Sequence, residues 1–132
     1  MKEWSPNWKS SKQPRKQRKY RYTAPLHVKG KFLNAHLTKE LKKKYGKRAL
    51  RVRKGDRVKI VRGQFRKTSG KIERIDLKNS KVFIEKIEFI KKDGNKGYYP
   101  IDTSNIIITE LVLTDKSRVN MIERVKKQKT VQ

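Results

Sequence analysis

Arg51-Val52-Arg53-Lys54-Gly55-Asp56-Arg57-Val58-Lys59-Ile60-Val61-Arg62-Gly63, continuing as Gln64-Phe65-Arg66-Lys67-Thr68-Ser69-Gly70-Lys71-Ile72, is the stretch that decides the fold class of this chain. Val58 and Ile60 fall on one side of an extended backbone, Arg57 and Lys59 on the other, the period of two that marks a half-buried strand. Gly55 and Gly63 punctuate its ends, and Gly70 stands where a second strand begins after a basic loop. Glycine there lets the backbone turn tightly and approach another group, a phosphate included.

Downstream the alternation recurs at Val82 and Ile84, and again at Ile87 and Phe89. The step from Ile84 to Ile87 is odd, which would flip the apolar set to the other face, so a bulge or sharp bend is expected near Glu85 and Lys86. Turn signals stand at residues 54–56, 63–70, 78–80 and 93–95. Short strands at this spacing, without a long helix between them, predict a mainly β chain built on a small antiparallel barrel over residues 50–113. Thr114 and Asp115 can then cap a short terminal helix over residues 116–127, with Val119, Ile122 and Val125 as its apolar positions.

Upstream, residues 23–49 read as a basic helical adaptor. Thr38 caps a helix running Lys39-Glu40-Leu41-Lys42-Lys43-Lys44-Tyr45 and stopping at Gly46, with Glu40 in the first turn where the helix dipole favours an acid. Leu41 and Tyr45 share one face, leaving Lys42, Lys43, Lys44, Lys47 and Arg48 for solvent or phosphate. Leu26, Val28, Phe32, Leu33 and Leu37 are expected to form a second short helix after Pro25. Residues 1–22 have no aliphatic core material, only Met1, Trp4, Trp8, Tyr20 and Tyr22, so they are expected to order only against a partner.

The 132 residues carry 38 Lys or Arg against 12 Asp or Glu, a formal charge of +26. Nineteen of the basic side chains and only two of the acidic ones lie in the first 54 residues. Such a balance resists collapse unless a polyanion supplies counter-charge, which puts nucleic acid first among partners and a heparin-like or anionic-membrane surface second. Cysteine is absent, which removes disulfides, thiolate metal sites and thiol nucleophiles, and a cytosolic life is allowed. The longest strictly apolar runs are three residues, at 82–84, 106–108 and 111–113. A membrane span needs about 20 and a secretion signal about 7–15, so neither membrane insertion nor secretion is expected.

Catalysis finds no support. His27 and His36 are nine apart with no cysteine or nearby carboxylate to complete a zinc site. The spacing from Gly63 to Gly70-Lys71 has six intervening residues instead of four, and Ile72 stands where a P-loop needs Ser or Thr. Glu85 and Glu88 would point to opposite faces of a strand, with Lys81 and Lys86 as ready partners. No enzyme activity, cofactor, metal or small-molecule substrate is expected.

The N-terminal arm interleaves Trp4, Trp8, Tyr20 and Tyr22 with Lys9, Lys12, Arg15, Lys16, Arg18, Lys19 and Arg21. Rings offer faces for bases and the cations reach phosphates, a combination suited to unpaired RNA more than to duplex DNA, which calls for a rigid groove-filling helix. A nonspecific polybasic tail or a localisation signal is the plainer alternative.

The stretch at 51–72 resembles a KOW motif. With Ala24-Pro25-Leu26-His27, Leu37-Thr38-Lys39-Glu40-Leu41, Lys44-Tyr45-Gly46, Ser104-Asn105-Ile106, Leu113-Thr114-Asp115 and Arg118, the chain resembles large-subunit ribosomal protein twenty-four in its archaeal and eukaryotic form, over roughly residues 12–118. The resemblance implies an SH3-like barrel that binds large-subunit ribosomal RNA near its five-prime region, acts early in subunit assembly and lies close to the exit of the peptide tunnel. Neighbouring ribosomal proteins would be its other partners, and the ribosome in the cytoplasm its place. One departure is Lys67, where many KOW loops have glycine, which puts a left-handed turn and the path of residues 64–69 in question.

In the KOW region the alternation and the loop present Arg53, Lys54, Lys59, Arg62, Gln64, Phe65, Arg66, Lys67 and Lys71 to RNA. Phe65 either stacks on a base or plugs the barrel end, with packing favoured, and Tyr98 and Tyr99 read as barrel rim. Arg53→Ala is expected to weaken binding and spare the barrel. A KOW module of a transcription elongation factor, binding polymerase and nascent RNA, is the competing reading, followed by a nonspecific polyanion binder.

Overall fold

The computed structural model describes residues 4–7 and 11–130, with side chains to residue 124. Its elements run α1 Pro14–Thr23, α2 Leu26–Phe32, β1 Asn34–Leu37, α3 Lys39–Tyr45, β2 Ala49–Arg51, β3 Arg57–Ile60, β4 Ser69–Asp76, β5 Lys81–Ile90, β6 Lys96–Asp102, a 3-10 turn Thr103–Asn105, β7 Ile106–Glu110 and α4 Lys116–Thr130. The strands form one seven-stranded sheet in the order β2-β1-β7-β3-β4-β5-β6. Every neighbouring pair is antiparallel except β1 and β7, which are parallel. The domain is therefore mainly β and barrel-like, as the alternation predicts, although the sheet is not closed.

β3 follows its predicted pattern, with Val58 and Ile60 buried and Arg57 and Lys59 exposed. The bend in β5 is present too. Its register against β6 steps from the pair Phe83–Pro100 to the pair Glu88–Tyr98, five positions on one strand against two on the other. Lys86 takes φ 67° within that bulge, and Ile84 and Ile87 on either side of it are both fully buried. Gly70 exists for the same bulge: a Cβ there would lie 2.6 Å from Ile84 Cγ2 and 2.8 Å from the Glu85 carbonyl oxygen. Its close approach is thus to the protein's own backbone.

The 23–49 region differs from a purely helical adaptor. α3 is as predicted, the Thr38 hydroxyl accepting from the Leu41 N–H at 3.5 Å and Gly46 closing the helix at φ 66°. α2 ends at Phe32, however, and Leu37 lies in a strand instead of on a helix face. Ala35 and Leu37 point into the core, while β1 pairs Asn34 with Arg51 and His36 with Ile107. The adaptor thereby contributes a strand to the same sheet as the barrel. Residues 14–23 also form a helix where no independent structure is expected. Pro14 starts it, fixing φ at its first position, and Lys, Arg and Gln are good helix formers. None of its residues is buried.

The core joins Leu33, Ala35, Leu37 and Leu50 to Val58, Ile60, Ile72, Val82, Ile84, Ile87, Ile106 and Ile108, with Ile122 of α4 packed on it. Among these apolar groups lies one buried ion pair. Asp56 (0% exposed) and Arg118 (3%) form a two-pronged contact, Nη1 to Oδ1 and Nη2 to Oδ2, both at 2.7 Å. Asp56 also accepts from the N–H groups of Arg53 and Val112, and Arg118 donates to the carbonyls of Val112 and Arg51. Each charge is satisfied, and the network ties α4 to the turn before β3.

Candidate nucleic-acid interface

The loop between β3 and β4 is closed by its own backbone. Lys67 N–H donates to the Ile60 carbonyl at 2.9 Å, Ile60 N–H to the Thr68 carbonyl at 2.9 Å and Arg66 N–H to the Gly63 carbonyl at 3.2 Å. Gly63 takes φ 93° and Lys67 itself takes φ 75°, so the left-handed turn is made with lysine in the place of glycine. Arg62, Gln64, Arg66 and Lys67 are all exposed, a basic crest held at its base by the loop's own backbone hydrogen bonds. Phe65 is withdrawn from it, packed on the core and edge-on to Tyr99 at 5.1 Å, which fits the plug role. Tyr99 is thus a rim contact.

On the strands, Lys59 is exposed beside Ser69, and Lys71 stands opposite Arg57. Arg57 is paired with Glu110 at 3.1 Å, and Lys71 shares a cleft with Glu73 and Glu85. These two positions therefore have a mixed field, unlike the loop crest. Arg53 has its guanidinium on the Asp115 carboxylate, which also accepts from the Ser117 N–H at the start of α4. Lys54, next to it, is exposed and has no carboxylate partner among the described residues.

α3 exposes Lys43, with Arg48 exposed beyond its end; Lys42 and Lys47 are half-buried. In the arm, Lys12, Arg15, Lys16, Arg18, Lys19 and Arg21 are exposed on α1 and the turn before it. Its aromatics divide. Tyr20 lies between Trp4 at 5.4 Å and Phe32 at 6.5 Å, a small aromatic group that anchors α1 to α2 and is reinforced by Arg21 over Phe32. Tyr22, 83% exposed beside the Lys29 ammonium, is the ring offered to solvent. Trp8 and Lys9 lie outside the described residues.

The structure groups these side chains into separate patches: α1 held by α2, the β3–β4 crest at the barrel end, and Arg53 with Lys54 at a cleft beside α4. Arg51, Leu77 and Met121, which line that cleft, are missed by the sequence reading because they belong to three different parts of the chain. Elsewhere the charges are neutralised differently from expectation. Lys81 pairs with Asp102 at 2.7 Å and Glu88 with Lys96 at 3.6 Å, because the β5–β6 hairpin brings partners across the ladder that lie apart in sequence. Tyr98 is held protonated above its ordinary range by a hydrogen bond to Glu73. No group of three metal-ligating side chains occurs among the described residues, and no described helix is long and apolar enough to cross a membrane.

Comparison with known families matches residues 11–125 to the ribosomal proteins that comprise eukaryotic L26 and its archaeal counterpart, protein twenty-four. Among curated relatives, the large ribosomal subunit protein uL24 of Methanosphaera stadtmanae is 49% identical over 114 residues, covering 86% of this chain and 97% of the relative. That of Methanocella arvoryzae is 50% identical over 115 residues, covering 87% and 93%. The one from Methanocorpusculum labreanum is 46% identical over 114 residues, covering 86% and 94%.

Proposed function

The chain belongs to the ribosomal protein family of eukaryotic L26 and archaeal protein twenty-four, and from that premise we propose that it binds large-subunit ribosomal RNA through basic side chains on a preformed barrel, on the 23–49 segment and on the N-terminal arm. Its role is that of a structural, non-enzymatic component of the large ribosomal subunit. The observation that carries the RNA reading is the β3–β4 loop, closed by its own backbone hydrogen bonds while Arg62, Gln64, Arg66 and Lys67 project outward. A rigid loop loses little entropy when its cations meet phosphates, so shape adds to the counter-ion release that any polycation gains.

In this reading the 50–113 barrel supplies the shape, with Arg53, Lys54, Lys59 and Lys71 around the loop. The basic 23–49 segment adds Lys42, Lys43, Lys47 and Arg48. Residues 1–22 follow RNA crevices with Lys12, Arg15, Lys16, Arg18, Lys19 and Arg21 on phosphates and Tyr22 on a base. Residues 114–132 carry α4 and tail. Neighbouring ribosomal proteins complete its surroundings in the cytoplasmic ribosome. The family resemblance further supports a site near the five-prime region of the RNA, entry early in assembly and a position near the tunnel exit.

Sedimentation of purified large subunits through rising salt tests this, with the wild-type chain, an Arg66→Ala, Lys67→Ala loop variant and a chain lacking residues 1–22 run in parallel. Retention at salt that strips a polylysine control, with loss in the variants, is the expected result. Wash-off in step with polylysine, with polymerase recovered alongside the chain, would favour the elongation-factor reading.

A further inference from the structure

A cleft of about 360 Å³ opens between α4 and the turn that leads from β2 into β3. Its floor is apolar, with Leu77 and Met121 left 36% and 43% exposed over buried core residues. Arg51, Arg53 and Lys54 stand among its lining residues, and no carboxylate lines it among the described residues. Asp56 is engaged by Arg118 and Asp115 by Arg53, and Lys54 also borders the neighbouring cleft that holds Glu73 and Glu85. We propose that this cleft seats a single unpaired nucleotide of RNA, its base against Leu77 and Met121 and its phosphate on Lys54.

The inference rests on the RNA-binding reading above and makes it specific. An apolar floor beside cations fits a ligand with a flat apolar part and an anionic part, which a nucleotide is once its base leaves the stack. The volume lies in the roughly 300–1,000 Å³ range of small-ligand sites. A stable protein partner would need a face of about 800 Å², far more than two half-exposed side chains provide. A duplex keeps its bases stacked and cannot enter. The Met121 thioether is suited to the face or edge of a ring, being polarisable and free to adjust.

The chain holds two methionines, Met1 and Met121, so methyl-labelled methionine reports on the cleft with a control signal at the other end of the chain. Full-length protein is titrated with a single-stranded RNA hexamer and with a hexamer of the same backbone that is abasic at every position, binding being followed in parallel by fluorescence anisotropy. The expected result is a ring-current shift of the Met121 methyl with the intact strand only. Leu77→Ser and Met121→Ser, both at exposed positions, should bind the intact strand about tenfold more weakly and the abasic strand unchanged. If both strands saturate the protein and Met121 moves equally with each, or not at all, the nucleotide site is wrong while RNA binding stands. If the protein binds neither strand more tightly than a lysine peptide of equal charge does, both readings fall.

Discussion

Arg118 shows how one side chain can decide whether the barrel keeps its C-terminal helix. Its guanidinium neutralises Asp56 in the core and satisfies two carbonyls at once. Arg118→Ala would leave the Asp56 carboxylate buried and uncompensated, so a loss of about 3–5 kcal/mol is expected. Urea unfolding followed by circular dichroism measures it. Arg53→Ala removes a pair that is half exposed, and the same experiment should show less than about 1 kcal/mol. Part of this is readable from sequence. The turn at 54–56 is read from sequence, and Asp56 in it lies in phase with Val58 and Ile60 of β3, where a buried acid demands a buried cation. Which cation is not readable, because Arg118 lies 62 residues away and nothing local points to it. Lys67 is the converse case. The sequence flags a lysine where the turn favours glycine, and only the folded chain reveals that the loop closes regardless, with Lys67 N–H held by the Ile60 carbonyl.

Elements are legible in proportion to how local their determinants are. α3 carries its cap, its stop and its apolar face within residues 38–46, and each appears as read. The β5 bulge is betrayed by an odd apolar step. β1 has only four residues, too few for a period to show, and its parallel partner β7 pairs His36 with Ile107, far downstream. The β4–β5 turn shows that a short connection can be pH-sensitive. Asp76 accepts from the Asn79 side-chain amide at 2.7 Å and from the Asn79 N–H at 3.1 Å, and these bonds, the side-chain one foremost, lower its pKa below 3.8. A carboxyl whose folded pKa lies below its unfolded one contributes stability above the unfolded value and loses it as pH falls through the folded value. Asp76→Ala should therefore cost about 0.5 kcal/mol at neutral pH, the low end for an exposed hydrogen bond. The difference between variant and wild type should shrink as pH drops through 3.8 and below, which denaturant midpoints over an acid series would follow.

At the scale of the whole molecule, charge is sorted in sequence and again in space. Asp56, Asp102, Glu88, Glu110 and Asp115 are each committed to an internal cation, and residues 1–49 together with the β3–β4 crest hold +17 of the +26 excess. α1 buries none of its residues, so removing residues 1–22 leaves the core intact while deleting eight cations and one acid. Each phosphate contact to single-stranded RNA contributes about −0.7 to the slope of log K against log salt. If the arm lies along the RNA with about four to eight of its cations on phosphates, its removal should flatten the slope by about 3–6. Arg66→Ala with Lys67→Ala, which deletes two loop cations, should flatten it by only about 1–1.5. The two variants also separate charge from shape. At a salt concentration where the electrostatic contribution is small, the loop variant should still discriminate poorly between ribosomal and unrelated RNA, because the crest that matches one RNA surface has been removed. The arm variant should bind more weakly to both and keep the preference. An unchanged slope after arm removal would mean that the α1 cations face solvent, and recognition would then rest on the barrel.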